Sequence, residues 1–332
     1  MAQEPPDLFA HLDGRVPAEQ VRRRLDREGP GGEPVVDWRH RRLHPENWGV
    51  TRSMLTAVLR ATGLYERGRR NARRFRLRRR RLVLPGLAPA LDGYRLLQLS
   101  DLHLDVDHTF ARELARRIAG VTSDSCVITG DFRFSTDGPI EPMLRAIDVL
   151  RPALPQSVYA VLGNHDSITM IPPLEARGIR VLFNESALIH HQDGVLALAG
   201  VDDPHYFDCA DPRRAAAGLP ADVPRLLLAH SPECYVEAEE AGFDAMLCGH
   251  THGGQIRLPG DVAVLTNARC PRRYCHGAWR YRRLYGYTSA GTGSSVLDVR
   301  FNCPPEVLLH VLRPASPQGV GLSSADSGSI VR

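Results

Sequence analysis

The 332-residue chain is 43% hydrophobic and 24% charged, a balance that places it among folded globular proteins and outside the disordered and fibrous classes. Its net charge of +4 conceals a gradient, because residues 1–90 hold 20 arginines against 10 acidic side chains while the remainder is mildly acidic. No apolar run approaches the ~20 residues that span a bilayer, and "MAQEPPDLFAHLDGRVP" has acids and prolines where a secretory signal is basic then apolar, so a cytoplasmic location is expected.

In chain order, residues 1–35 are rich in Pro, Gly and charge and read as a flexible segment. "WGVTRSMLTAVLRATGLYERG" (48–68) reads as an amphipathic helix with Met54, Leu55, Val58, Leu59 and Leu64 on one side. Ten arginines follow between Arg67 and Arg81, all 42 basic residues of the chain being arginine. The run admits three readings. One is an edge strand from Phe75 to Leu84 whose charge blocks pairing with other chains. Another is a surface for anionic lipid head groups, giving peripheral contact with the inner face of a membrane. The third, nucleic-acid binding, lacks aromatic interleaving or a known module. Residues 36–74 are taken as an amphipathic and Arg-rich extension, 75–313 as the main domain and 314–332 as a disordered tail.

From Tyr94 onward, short apolar runs alternate with helical stretches: "YRLLQLS", then "TFARELARRIAGV"; "CVIT", then "GPIEPMLRAIDVLRP"; then "SVYAVLG", "PRLLLAH" and "DAMLC". This is the pattern of an α/β core with both sheet faces covered. Residues 180–203 read as consecutive hairpin strands turning at "QDG", and 262–312 as mostly extended. Seven cysteines, an odd number with no repeating spacing, argue against a disulfide scaffold, and Cys270 and Cys275 lack a second pair to complete a structural zinc site. Free thiols in a reducing compartment are expected.

Five of the strands end in side chains that ligate metals. Asp101 and His103 follow "LLQLS", Asp131 follows "CVITG", Asn164, His165 and Asp166 follow "YAVLG", His230 follows "RLLLA", and His250 and His252 sit in "GHTHGGQIRLPG". The carboxyl edge of an open α/β sheet is where ligands bind. Alternate residues on extended backbone point to opposite sides, so His250 and His252 can face two neighbouring centres. A lone Asp-x-His is weak, and His230 alone is more often a core histidine; the ordered conjunction is what points to a metal centre. Gly130, Gly163, Gly249, Gly253 and Gly254 let the strand ends turn sharply without a Cβ clash.

The series SDLH, GD, GNHD, AH and GHTHGGQ resembles the calcineurin-like metallophosphoesterase superfamily over residues 75–312. "GVDDP", "GHTHGGQIRLP" and "VRFNCPPEVLLHVLRP" look like its bacterial phosphodiesterase branch, which includes some UDP-2,3-diacylglucosamine pyrophosphatases of lipid A synthesis. The resemblance implies a four-layer α/β/β/α sandwich and two divalent ions, with manganese favoured over iron or zinc. Asp101, His103 and His252 would hold one ion, Asn164, His230 and His250 the other, and Asp131 would bridge them. The pair would clamp a phosphoryl group and provide a bridging hydroxide for in-line attack on a phosphodiester or pyrophosphate. His165 would then act as the acid, with Asp166 orienting its imidazole or, on the plainer reading, serving as a turn acid.

Arg133, in the unusual "GDFRF", is open between a substrate phosphate and a nearby carboxylate. Gln255 is open between substrate and a loop hydrogen bond, and Asp202 and Asp203 between the substrate entrance and surface turn chemistry. The substrate expected is a small or lipid-linked phosphoester. A cyclic-nucleotide phosphodiesterase, a protein phosphatase and a catalytically silent scaffold are the alternatives.

Overall fold

The computed structural model describes residues 8–29, 49–260, 262–263, 266–295 and 297–315. Expectations for residues 1–7, 30–48 and 316–332, which include most of the tail and part of the extension, lie outside the described residues.

The first sheet contains β1 (Arg76–Leu84), β2 (Arg95–Leu99), β3 (Ser125–Thr129), β4 (Val158–Val161) and β5 (Ile179–Val181), with β14 (Glu306–Pro314) inserted to give the order β1-β14-β2-β3-β4-β5. All neighbours run parallel except β14 against β2. The second sheet, in the order β12-β13-β9-β8-β7-β6, is built from β6 (Glu185–His191), β7 (Gly194–Gly200), β8 (Arg225–Leu228), β9 (Ala245–Cys248), β12 (Gly277–Tyr281) and β13 (Leu284–Thr288). The short β10 (Arg257–Leu258) and β11 (Val262–Ala263) pair separately.

Side-chain alternation sorts these strands into layers. Leu96, Val127, Val161 and Leu308 of the first sheet meet Leu198, Leu228 and Leu247 of the second in one buried cluster, so the sheets stack face to face. On the outer face of the first sheet, Leu97, Leu99, Cys126 and Ile128 pack against α5 (Phe110–Ile118), α6 (Glu141–Leu150) and α7 (Ile171–Glu175). Phe110, Leu114 and Ile118 recur every fourth residue, which is why α5 buries one face. The outer face of the second sheet is covered by α8 (Pro212–Ala216) and α9 (Tyr235–Glu240) through Ala215 and Ala238. The architecture is therefore the expected α/β/β/α sandwich, and the carboxyl ends of β2, β3, β4, β8 and β9 open onto one edge of it.

The amino-terminal part departs from its sequence reading. Residues 8–29, expected to be flexible, form α1 (Leu8–Leu12) and α2 (Ala18–Glu28), and Leu8, Leu12, Val16 and Val21 join the core of the first sheet. The high charge of this stretch hid apolar residues at helical spacing. The single helix expected over 48–68 is two, α3 (Gly49–Ala61) and α4 (Leu64–Ala72), because Gly63 turns the chain at φ 69°. Only Leu59 of the expected apolar face is buried, while Met54, Leu55, Val58 and Leu64 are exposed.

The arginine run becomes β1 at the edge of the first sheet, paired among the described residues only with β14. The boundary drawn at residues 74–75 falls inside a packed unit: Gly68 of α4 lies against Val299 and Phe301, and Arg73 pairs with Asp107 at 2.8 Å and Asp298 at 2.7 Å. Residues 180–203 are not one run of hairpins, since β5 pairs with β4 in the first sheet and only β6 and β7 form a hairpin. Among the described residues no helix is long and apolar enough to cross a membrane.

Arg24 of α2 is wholly buried, and its guanidinium contacts the buried Asp202 carboxylate, Glu28 at 2.9 Å and the Asp166 carbonyl at 2.6 Å while lying over the Phe207 ring. Arg24→Met removes the counter-ion of a buried carboxylate, so a loss of about 3–5 kcal/mol is expected in denaturant unfolding. An unchanged midpoint would show that α2 does not brace the domain.

Candidate metal centre

The strand ends turn abruptly, and the turns bring the expected ligands inward. Asp101, His103, Asp131, His250 and His252 all have positive φ, between 45° and 69°. Non-glycine residues held in that region cost about 1–3 kcal/mol each, and such strain concentrates at functional sites. Neighbouring glycines leave the space these turns need. A Cβ on Gly249 would overlap Ser100 Oγ and Asp101 Oδ2, and one on Gly163 would overlap Asp131 Oδ1.

The structure brings all seven expected ligands into one buried cluster. On one side, His103 Nε2 lies 3.3 Å from His252 Nε2, which is 3.4 Å from Asp101 Oδ1. On the other, His230 Nε2 lies 3.0 Å from Asn164 Oδ1 and 3.2 Å from His250 Nδ1. Asp131 Oδ2 stands between the two sets, 3.8 Å from His103 Nε2 and 3.3 Å from His230 Nε2. Asp101 also comes within reach of the Asp131–His230 group. A mixture of imidazole nitrogen and carboxylate or amide oxygen fits divalent manganese, iron or zinc, and does not fit calcium, which takes oxygen alone.

Outer hydrogen bonds select which nitrogen faces the cluster. His103 Nδ1 donates to the Arg133 carbonyl at 3.0 Å, His230 Nδ1 to the Thr129 carbonyl at 2.8 Å, and His250 Nε2 to the Asn267 carbonyl at 2.7 Å. Each ring therefore turns its other nitrogen toward the cluster, as metal-ligating histidines do. His252 differs, with Nδ1 facing Arg300 Nη2 at 3.2 Å.

Burial lowers His103 to about 4 and holds His250 and His252 well below the ordinary histidine value, so these three are neutral at pH 7. Burial also opposes charge on His230, but Asp131 and then Asp101 outweigh it and raise His230 to about 10. Burial likewise disfavours charge on Asp131, yet His230 and His165 keep it well below the usual carboxylate range.

A ligand must lose its proton before it can bind metal. The metal-free protein should consequently release about one proton, from His230, on loading at pH 7.5, and its metal affinity should rise with pH toward about 10. Calorimetric titration in buffers of different ionisation enthalpy measures that release; zero release would contradict the charge state of His230.

The remaining expected residues are placed less uniformly. His165 Nδ1 meets the Phe134 carbonyl at 2.5 Å and Nε2 lies 4.0 Å from Asp131 Oδ2, at the rim of the cluster. Asp166 does not orient that ring. Its carboxylate accepts the backbone N–H groups of Phe132 and Gly163, each at 2.9 Å, and so ties two strand-end loops together, in line with the plainer reading.

Arg133 makes no ion pair with a carboxylate among the described residues, and three of its N–H groups bond the carbonyls of His165, Thr136 and Gly138. Gln255 makes the loop bonds, to the carbonyls of Ser295 and Leu297. Asp202 and Asp203 are fully buried rather than at a surface, Asp202 against Arg24 and Asp203 capping the N–H groups of His205, Tyr206 and Phe207.

His205 was missed. Its ring centroid lies 4.1 Å from that of His250, and its Nδ1 bonds Glu233 at 2.7 Å. The signal available was a histidine directly after the quoted "GVDDP".

Comparison with known proteins agrees with this geometry. Residues 94–254 match the calcineurin-like phosphoesterase family. The chain is 35% identical over 172 residues to phosphodiesterase YaeI of Escherichia coli, covering 49% of this chain and 61% of that protein, so it spans under two thirds of YaeI. It is 28% identical to metallophosphoesterase YkoQ of Bacillus subtilis, covering 67% of this chain and 84% of that one. With UDP-2,3-diacylglucosamine pyrophosphatase LpxG of Chlamydia muridarum the identity is 24%, covering 68% and 85%. The strand-end cluster, from Asp101 to His252, lies wholly within the residues that match the calcineurin-like phosphoesterase family.

Proposed function

We propose that the chain is a dinuclear metal-dependent phosphoesterase that hydrolyses a phosphodiester or pyrophosphate bond. The observation that carries this reading is the pair of donor sets meeting at Asp131 Oδ2. Asp101, His103 and His252 would hold one divalent ion, Asn164, His230 and His250 the second, with Asp131 shared and manganese favoured. Two such ions, when bound, clamp phosphoryl oxygens and lower the pKa of a coordinated water. The chain's own residues do the rest. Outer hydrogen bonds fix the three imidazole tautomers, and Phe134 holds the His165 ring by Nδ1, leaving Nε2 to give a proton to the leaving oxygen. Arg133 braces this arrangement by binding the His165 carbonyl at 2.8 Å.

A nucleotide-linked lipid of the UDP-2,3-diacylglucosamine type is the substrate proposed, supported by the likeness to LpxG. The exposed Met54, Leu55 and Val58 of α3, close in sequence to the arginine strand, support contact with an anionic membrane surface. Full-length protein loaded with Mn, Zn or Mg and screened against bis-p-nitrophenyl phosphate, cyclic nucleotides, phosphopeptides and UDP-diacylglucosamine tests the reading. Metal-dependent turnover of diesters is expected, greatest on the lipid-linked diphosphate; metal-replete protein with no turnover of any ester would overturn it.

A further inference from the structure

A second basic site lies on the far side of Arg300 from the metal cluster. A cavity of about 610 Å³ opens between α4, the start of β1, α5 and the loop before β14, within the size range of small-ligand pockets. Six arginines line it, namely Arg67, Arg73, Arg74, Arg76, Arg117 and Arg300, and no carboxylate does.

Of the lining arginines, Arg73 is neutralised by Asp107 and Asp298, and outside the cavity Arg78 pairs with Glu306 at 3.2 Å. Arg67, Arg74, Arg76 and Arg117, by contrast, make no ion pair among the described residues. Arg300 forms the floor. It is fully buried, and its guanidinium is held by the carbonyls of Ala290, Gly293 and Cys303 without a carboxylate partner among the described residues. Like charges gathered around one cavity repel each other, and the arrangement persists at least cost when an anion occupies it. Guanidinium groups converging from several elements suit the oxygens of a phosphate, which accept paired N–H bonds.

We propose that this cavity is a binding site for a phosphate-bearing anion, separate from the metal centre, and that the anion is either the head group of a lipid or a free phosphate compound. The proposal goes beyond the hydrolytic reading and does not depend on it.

The test uses the full-length, metal-loaded protein and methylenediphosphonate, a diphosphate analogue that resists hydrolysis. Binding of the probe at the metal centre is common to all variants, so the second site is read as an additional class of binding in calorimetry. Arg74→Gln with Arg117→Gln, both at exposed positions, should weaken that class by at least about tenfold and leave the other intact. Arg79→Gln with Arg81→Gln removes the same charge from exposed positions outside the cavity and should change neither class.

Co-sedimentation with phosphatidylcholine vesicles containing phosphatidic acid separates the sources. Vesicle binding lost in the Arg74/Arg117 variant assigns a lipid head group, whereas diphosphonate binding without vesicle binding assigns a soluble ligand. The proposal is overturned by a single class of binding in the unaltered protein, or by equal losses in the two double variants.

Discussion

Asp131→Asn is expected to abolish turnover and to empty both halves of the metal centre. The two oxygens of Asp131 have different tasks. Oδ1 accepts the His165 N–H at 3.0 Å, and Oδ2 faces His230 and His103. An asparagine keeps the first bond only by placing its carbonyl oxygen at the Oδ1 position. Its NH₂ group then points into the cluster, where it has two hydrogens and no available lone pair. Both donor sets thus lose the one atom they share. Metal analysis should find less than one ion per chain retained, against about two, and turnover of bis-p-nitrophenyl phosphate should fall by at least about a thousandfold, or about 4 kcal/mol of barrier. An asparagine variant with full metal content and full kcat would remove Asp131 from the shared position.

His165→Ala should separate chemistry from metal binding. The ring reaches the cluster from its rim and belongs to neither donor set, so metal content should be preserved. Loss of a positioned acid costs about 10²–10⁴ in kcat, and the cost depends on the leaving group. A p-nitrophenolate leaves with little help, so its turnover should suffer less than that of an alkyl or nucleotide ester. Equal losses on good and poor leaving groups, with metals retained, would indicate that His165 only positions substrate.

The core of the sandwich and the convergence of Asp101, Asp131, Asn164, His230 and His250 were legible because both follow from one local pattern. A short apolar strand ending in a polar side chain states its own direction and its own end, and parallel strands bring those ends to one edge. What stayed hidden depends on distant partners. Arg24 and Asp202 each look like surface charges until α2 is laid against the loop after β7. Asp166 reads as the partner of its neighbour His165, but adjacent loop residues diverge and its carboxylate finds backbone N–H groups instead. Arg133 looks like a phosphate fork, and only the packed loop shows that its Nε, Nη1 and Nη2 each bond a backbone carbonyl. In the same way β5 lies among hairpin-like strands in sequence, while the sheet it joins is decided by the edge that β4 leaves open.

The pairing of β1 with β14 has a consequence for the order in which the molecule is made. Register runs without a break from Arg76 opposite Glu306 to Leu84 opposite Pro314, and among the described residues β1 has no other strand neighbour. On the ribosome, β1 emerges early and must wait for almost the whole domain to be synthesised before its partner β14 appears. A contact so remote in sequence closes late and leaves the waiting segment open to the wrong company. Five guanidinium groups along that segment repel other nascent copies during the delay, so the same charge that marks the finished edge also protects the unfinished polypeptide.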